Sequence, residues 1–167
     1  MRKIVLSLAG TLALAGALWI SSGTASFAAL PDKITDVPKA PYDEAADGRA
    51  DLAAALARAK AANKRVLVKF GANWCPDCRV LAGALEIPDI KSYADSKFEL
   101  VSIDVGRRNK NLDLAAKYGQ GLKGVPTVVI VDPKTDTAVQ GLNTLALSDA
   151  RDMTPAAILD VLKSYGG

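Results

Sequence analysis

The chain has no histidine and only two cysteines among its 167 residues. Imidazole is the commonest metal ligand and the side chain that titrates nearest neutral pH, so chemistry that needs it is excluded. A closed zinc site takes four nitrogen or sulfur ligands, and a single pair of cysteines cannot supply them. The sequence therefore argues against a zinc site and leaves any proton transfer to other groups.

Neither sign of charge dominates the chain, which carries 21 Lys and Arg against 18 Asp and Glu. Arg2 and Lys3 lie in a segment that we expect to be removed, and without them the balance is 19 against 18. A chain this close to neutral gives no reason to expect nucleic acid or an anionic lipid surface as a partner.

The two cysteines lie three positions apart in the run Trp74-Cys75-Pro76-Asp77-Cys78. The apolar stretch 66–70 before this run predicts a buried strand, and Pro76 suits the first turn of a helix. A thiol at a helix N-terminus is favoured as the thiolate, and a second thiol one turn further on can close a disulfide with it. We favour a redox-active pair, and a structural disulfide and a two-coordinate copper(I) site stay open as alternatives.

Asp77 acts on these cysteines in two opposite ways. A carboxylate is stabilising at the N-terminus of a helix. A negative charge close to Cys75 nevertheless disfavours its thiolate and raises the pKa of the thiol. The sequence does not give the sign of the net effect on that pKa.

The first 28 residues are typical of a signal peptide. Arg2 and Lys3 precede an uncharged stretch, 4–20, and small residues then lead to Ser26-Phe27-Ala28, a small-x-small cleavage pattern. We expect cleavage after Ala28, with an uncleaved anchor as the alternative, although the stretch is at the short limit for a membrane span. In either case we expect the rest of the chain to be exported, and no later stretch is apolar and long enough to cross a membrane.

The remainder of the chain predicts one domain. Residues 29–41 contain three prolines and predict an extended, partly mobile lead-in to a domain over 42–167. The patterns predict helices over 42–62, 75–85, 88–94, 112–118 and 154–165, and strands over 65–70, 98–105, 125–131 and 137–140. This alternation predicts an α/β fold with helices on both faces of a sheet whose first two strands are parallel.

Two motifs in this order resemble the thioredoxin superfamily. The first is residues 66–78, and the second is Tyr118-Gly119 followed by Gly124-Val125-Pro126-Thr127, with Asp104 at a strand end also fitting. The resemblance covers about residues 45–165 and looks most like exported bacterial thioredoxin-like proteins with a Trp-Cys-x-x-Cys site. It implies a thioredoxin-like fold with a central mixed sheet of four to five strands, and a periplasmic location.

The resemblance also implies a role for each residue of the site. Cys75 would be the nucleophile and Cys78 the thiol that resolves the mixed disulfide. Trp74 would shield the site and offer a flat apolar surface to partners. Pro126 would be the family's cis-proline facing the cysteines, and Val125 would pair its backbone with a bound peptide. No bound cofactor or metal is implied.

Three departures from the family pattern bear on this chemistry. Lys69 stands where thioredoxins commonly carry a buried acid behind the second cysteine. A lysine there either favours a thiolate or extends to the surface, and we expect the side chain to extend to the surface. Gly83 stands where many relatives have a proline, and we expect it to affect local shape only. Residues 120–123 lengthen the loop before the second motif. Without histidine, proton transfer would fall to water, Asp77 or Lys69.

These observations predict an exported thiol–disulfide oxidoreductase whose partners are protein thiols and disulfides. Because Asp77 should make the cysteine pair more reducing, we expect a monomeric reductase that a membrane-bound redox partner supplies with electrons. The alternative is a module that binds copper(I) or a client through the same two thiols. We expect the basic run at 107–110 to be a solvated loop rather than a docking site for an acidic partner.

Overall fold

The computed structural model describes residues 29–166, so the predicted signal peptide lies outside the described residues. The elements are α1 (Gly48–Ala62), β1 (Arg65–Gly71), α2 (Pro76–Glu86), α3 (Pro88–Lys97), β2 (Phe98–Asp104), α4 (Leu112–Lys117), β3 (Thr127–Asp132), β4 (Thr137–Ala138) and α5 (Pro155–Gly166). A short 3-10 turn, Ala150–Asp152, precedes α5. Within residues 29–166, no helix is long and apolar enough to span a bilayer.

The four strands form one mixed sheet in the order β2-β1-β3-β4. Strand β1 runs parallel to β2 and antiparallel to β3, and β4 pairs antiparallel with β3. The predicted parallel pair and the predicted mixed sheet are confirmed. Strand β1 is central and buried from Val66 to Gly71, because its apolar, β-branched side chains suit a strand that is covered on both faces.

Helices cover both faces of the sheet, as predicted. On one face, α1 and α4 pack on alternate residues of β1 and β3, among them Val66, Val68 and Val129. On the other face, α2, α3 and α5 pack on the intervening residues, such as Leu67 and Ile130. The two apolar cores therefore lie on either side of β1, and the carboxyl end of this strand leads directly into the cysteine motif.

Helix α1 begins later than predicted, at Gly48 rather than at residue 42. The Asp47 carboxylate accepts hydrogen bonds from the backbone N–H groups of Arg49 and Ala50, which makes it the N-cap. Upstream, the Asn73 side chain accepts from the Tyr42 N–H and donates to the Tyr42 carbonyl oxygen, both at 2.9 Å. These two bonds hold Tyr42 in a non-helical segment that lies against the loop before the cysteines.

The lead-in 29–41 packs along α2 without forming a helix or strand. Arg79 in α2 donates from Nε to the carbonyl oxygen of Pro38 at 2.9 Å. A Cβ on Gly83 would overlap the carbonyl oxygen of Asp36, so only glycine admits this segment. The expectation that Gly83 affects local shape alone is wrong, because this position lets the lead-in pack against the helix.

Candidate active site

The two cysteines lie where β1 passes into α2. Cys75 is the N-cap of α2 and Pro76 occupies the first helical turn, where its missing N–H costs no hydrogen bond. The Cys75 sulfur accepts the backbone N–H of Cys78 at 3.1 Å. A disulfide joins the two residues, whose Cα atoms are 5.3 Å apart. In the reduced protein, the same N–H and the helix N-terminus favour a thiolate on Cys75.

The two cysteine residues differ slightly in exposure. Cys75 keeps 3% of its surface exposed, whereas Cys78 is fully buried beneath it. Of the two residues, only Cys75 keeps any surface that a partner disulfide approaching from outside could contact. This asymmetry agrees with the roles that the resemblance implies, with Cys75 as the attacking thiol and Cys78 as the resolving one.

The loop before β3 lies beside Cys75, although it is 50 residues away in the chain. The Val125 carbonyl oxygen lies 3.4 Å from the Cys75 sulfur, and the peptide bond from Val125 to Pro126 is cis. Thr127 donates from its hydroxyl to the carbonyl oxygen of Gly124 at 2.6 Å, which fixes the loop. The antiparallel pairing of β3 with β1 thus brings the second sequence motif against the first.

Trp74 forms an exposed edge of the site. Its side chain is one of only two large apolar side chains in residues 29–166 that are markedly exposed, at 44%. The indole N–H donates to the carbonyl oxygen of Gly106 at 2.7 Å, which ties the ring to the loop after β2. The ring therefore offers a flat apolar face next to Cys75 to an approaching partner.

All four residues of the basic run at 107–110 are exposed, as the sequence predicts for a solvated loop. The Lys110 ammonium, although exposed, donates to the carbonyl oxygen of Glu44 at 2.7 Å and lies 3.6 Å from a carboxylate oxygen of Asp104. Lys110 therefore places a positive charge close to the buried end of β2.

Asp77 is buried and paired with Arg151 from the 3-10 turn. Nε of Arg151 lies 3.1 Å from each carboxylate oxygen of Asp77, and the backbone N–H of Arg151 donates to the same carboxylate at 3.0 Å. The hydrogen bond to Asp77 raises the pKa of the guanidinium. The positive charge of Arg151 counters the repulsion of Asp77 toward a Cys75 thiolate, and the sequence does not predict this pairing.

Lys69 is buried in β1, so the expectation that it extends to the surface is wrong. Only 6% of its surface is exposed, and its ammonium lies 5.3 Å from the centre of the Tyr42 ring. Burial lowers the pKa of Lys69 to about 8, while the Glu86 carboxylate acts in the opposite direction. The non-helical segment at Tyr42 covers this end of the strand, and this leaves the side chain no route to solvent.

Tyr42 and Asp104 belong to the site, although the sequence did not assign them to it. Tyr42 belongs to one buried cluster with both cysteines. Its hydroxyl and both carboxylate oxygens of Asp104 are buried without a hydrogen-bond partner in the described part of the chain. Burial raises the pKa of the Tyr42 hydroxyl far above its usual range, and repulsion by Asp104 adds to the rise. The only signal for Asp104 in the sequence was its place at the end of a predicted strand.

Larger clusters of metal-ligating side chains are absent from the part of the chain that the structure describes. Over residues 29–166, no group of three or more His, Cys, Asp or Glu side chains is placed to hold a metal ion. The chemistry available to the described site is that of two sulfurs and the buried polar groups behind them.

Known proteins share this architecture. The Thioredoxin-like family matches residues 47–133. A thioredoxin of Buchnera aphidicola is 33% identical over 88 residues, which cover 52% of this chain and 74% of that protein. A thioredoxin of Rickettsia bellii is 32% identical over 65 residues, which cover 39% of this chain and only 55% of that one. A crystal structure of a disulphide isomerase from Xylella fastidiosa is 36% identical with a TM-score of 0.72, over 76% of this chain and 97% of that chain.

The family match spans both halves of the site, from the cysteine motif to the loop that carries Val125 and Pro126. The match to the disulphide isomerase covers 76% of this chain, so the likeness extends beyond the residues that the family match covers. By its fold, its cysteine pair and these matches, the chain belongs to the thioredoxin-like family.

Proposed function

We propose that this chain is an exported thiol–disulfide oxidoreductase that exchanges electrons with protein disulfides through Cys75 and Cys78. The observation that carries the proposal is the disulfide pair at the N-terminus of α2, in which Cys75 keeps a small exposed surface and Cys78 is fully buried. The thioredoxin relatives and the disulphide isomerase of similar structure support thiol–disulfide chemistry.

The reaction proceeds by two successive exchanges. The Cys75 thiolate attacks one sulfur of a substrate disulfide, whose other sulfur leaves as a thiolate and takes up a proton. Cys78 then loses its proton and attacks the Cys75 sulfur of the mixed disulfide. The bond from Cys75 to the substrate breaks, and the bond from Cys75 to Cys78 forms. Two electrons thereby pass to the substrate, which leaves with both cysteines reduced.

For the direction of electron flow, we propose that the protein works as a reductase. The complete burial of Cys78 disfavours a thiolate there, and the Asp77 carboxylate lies in the first turn of α2 despite its pairing with Arg151. These two effects destabilise the reduced pair and so make it a better electron donor, and they oppose the stabilisation of a Cys75 thiolate by the helix N-terminus. A reductase outside the cytoplasm needs a supply of electrons, and we propose a membrane-bound redox partner for this role.

We also propose that the protein is exported to the periplasm. The proposal rests on the charged start, the apolar stretch and the small residues of positions 1–28. N-terminal sequencing of the protein recovered from a periplasmic extract should give Ala29 as the first residue. A protein that starts at residue 1 and stays with the membrane would instead support an uncleaved anchor.

We propose a monomer in solution. Trp74 and Leu112 are the only large apolar side chains in residues 29–166 with marked exposure, and a stable dimer needs a broader apolar surface. Light scattering on the protein lacking residues 1–28 should give the mass of a single chain. A concentration-independent mass twice as large would contradict this proposal.

Trapping the mixed disulfide tests the proposed activity most sharply. Wild-type protein should catalyse the reduction of insulin by dithiothreitol, and both Cys75→Ser and Cys78→Ser should lose this turnover. Cys78→Ser should accumulate mixed disulfides that a non-reducing gel separates, whereas Cys75→Ser, the matched control, should not. Turnover by Cys75→Ser would contradict the proposal. Stoichiometric copper(I) binding without any reductase activity would favour the metal-binding alternative.

A further inference from the structure

A buried polar cluster lies behind the redox pair and is not used by the exchange chemistry described above. It consists of the Tyr42 hydroxyl, the Asp104 carboxylate and the Lys69 ammonium, all on residues that are at most 6% exposed. Buried polar atoms without partners cost free energy, and a native structure that keeps them calls for an explanation. The Tyr42 hydroxyl and the Asp104 carboxylate both lack partners among the described residues.

The Tyr42 phenol lies next to the sulfur of Cys78. A Cβ on Gly71 would meet the Tyr42 ring carbon Cζ at 2.7 Å and the Cys78 sulfur at 2.8 Å, with the hydroxyl oxygen closer still. The phenol and the sulfur therefore share the space that the missing side chain of Gly71 leaves open. Tyr42 forms one buried cluster with the two cysteines, against which Val125 packs.

Asp104 faces the same space from the neighbouring strand. It is the register partner of Gly71 in the parallel pair of β1 and β2, so the two side-chain positions lie on the same face of the sheet. Its carboxylate is close enough to the phenol to repel a phenolate charge. The ammonium of Lys110 lies 3.6 Å from this carboxylate, and the half-exposed Lys110 side chain connects the buried Asp104 with solvent.

We propose that the Tyr42 hydroxyl relays the proton of the Cys78 thiol to Asp104 when Cys78 attacks the mixed disulfide. This inference rests on the proposed function and names the residues that serve its second exchange. It assigns to Tyr42 and Asp104 the proton transfer for which the chain has no histidine.

The relay balances as follows. The Cys78 S–H bond breaks and its proton passes to the Tyr42 oxygen. Because no hydrogen bond joins the phenol to Asp104 directly, the phenol's own proton passes through one bridging water to a carboxylate oxygen of Asp104. The Cys78 thiolate displaces the substrate sulfur from Cys75, and Asp104 then loses its proton to water beside Lys110. Tyr42 ends as it began, as a neutral phenol, which suits a group whose ionised form is strongly disfavoured. In the reverse direction the same groups return a proton to Cys78.

Lys69 has a different part in this cluster. Its ammonium faces the Tyr42 ring rather than a carboxylate, with Glu86 as the acidic group that acts on it electrostatically. A cation over the ring helps to hold the phenol in place. Lys69 is therefore a positioning residue, and the relay does not require it to take up the proton.

A two-phase reaction with dithiobis(nitrobenzoate) tests the relay. Attack by Cys75 releases one coloured thionitrobenzoate, and resolution by Cys78 releases the second, so that stopped-flow absorbance separates the two exchanges. In Tyr42→Phe, which keeps the ring over Gly71, the second phase should slow at least about tenfold at pH 7 while the first is unchanged. Asp104→Asn should slow the same phase.

The matched control is Tyr165→Phe. The Tyr165 hydroxyl is also largely buried, but it donates to the carbonyl oxygen of Asn143, and Tyr165 lies near Arg65, at the end of β1 remote from the cysteines. Both phases should keep their wild-type rates in this variant. Unfolding midpoints of all variants, measured with the disulfide intact, identify any change that is merely structural.

The pH profile distinguishes a proton relay from a packing effect. The deficit of Tyr42→Phe should shrink as pH rises, because hydroxide then removes the Cys78 proton directly, whereas a packing defect would slow both phases at every pH. Equal second-phase rates in wild type and Tyr42→Phe would overturn the relay and leave the proposed function intact. A wild-type protein that never releases the second thionitrobenzoate would overturn both. Loss of the second phase in Lys69→Met but not in Tyr42→Phe would assign the proton to Lys69 and overturn the relay.

Discussion

Lys69 carries an ionisable side chain in the middle of the central strand, where 6% of its surface is exposed. Burial lowers its pKa from an ordinary value of 10.5 to about 8. Below pH 8 the folded protein holds a charged ammonium in its interior, and this disfavours folding. As pH rises from 8 to 10.5, the folded chain loses this proton before the unfolded chain does. The unfolded state then binds more protons, so this residue makes stability rise with pH.

We therefore expect Lys69→Met to increase the free energy of unfolding at pH 7 by about 1 to 3 kcal/mol, since each unit of the shift corresponds to about 1.4 kcal/mol. The gain over wild type should decrease as pH rises from 8 toward 10.5. Urea unfolding of both proteins at several pH values, with the disulfide intact, measures it. A variant that is less stable at pH 7, or a gain that does not change with pH, would contradict the buried charge.

Asp77 and Arg151 act on the cysteine pair in opposite directions because their charges are opposite and they are bonded to each other. Arg151→Met should leave the carboxylate unbalanced, disfavour the reduced pair and make its midpoint potential more negative. Asp77→Asn should make the potential less negative, each change being on the order of 10 to 30 mV. Equilibration with glutathione buffers gives both values. Shifts of the same sign in the two variants would show that charge is not the cause.

At the scale of elements, α2 depends on a glycine in its interior. Alanine has the higher helix propensity by about 1 kcal/mol, so an isolated helix would gain from Gly83→Ala. In the folded protein, a Cβ at this position would overlap the carbonyl oxygen of Asp36 in the lead-in. The helix therefore gives up local stability in order to accept the segment 29–41.

We expect Gly83→Ala to destabilise the protein by about 1 to 3 kcal/mol, the usual cost of overpacking. The lead-in should also become more sensitive to limited proteolysis, because it can no longer pack along α2. Ala84→Gly is the comparison variant. It changes helix propensity and core packing in the same helix at a position that faces the apolar core. Greater stability in Gly83→Ala, with the lead-in still protected, would contradict this packing.

The elements themselves could largely be predicted, because their signals are local. The apolar, β-branched runs predict β1 and β3, and Pro155 after Thr154 marks the start of α5, where the Thr154 hydroxyl accepts the N–H of Ala157. The start of α1 was placed six residues early because alanine-rich periodicity outweighed Asp47, a capping residue that the structure shows accepting two N–H groups.

The cluster behind Cys78 could not be predicted in the same way, because its contacts join distant parts of the chain. Tyr42 lies next to Cys78 only because Asn73 holds its backbone, and Asp104 faces that space only through the register of β2. No spacing in the sequence encodes these contacts. The burial of Lys69 was missed for the same reason, since the ring that covers it comes from residue 42.

At the scale of the whole molecule, the sheet order decides which segments meet. Because β1 lies between β2 and β3, the segments at the cysteine end of all three strands surround one sulfur pair. The segment after β1 supplies the cysteines, and the segment before β3 supplies the Val125 carbonyl. Strand β2 supplies its last residue, Asp104, and the loop after it accepts the hydrogen bond of Trp74. The site is thus formed by the whole fold, and the midpoint potential of the cysteine pair depends on all of these contacts.

The midpoint potential of the Cys75–Cys78 pair tests this account most directly. The protein lacking residues 1–28 would be equilibrated in dithiothreitol or glutathione buffers, and its thiols would then be trapped and counted. We predict a reversible two-electron transition near or below about −270 mV, the range of a reductant such as thioredoxin. A value near about −120 mV, that of a strong oxidase, or the absence of any reversible transition would contradict it.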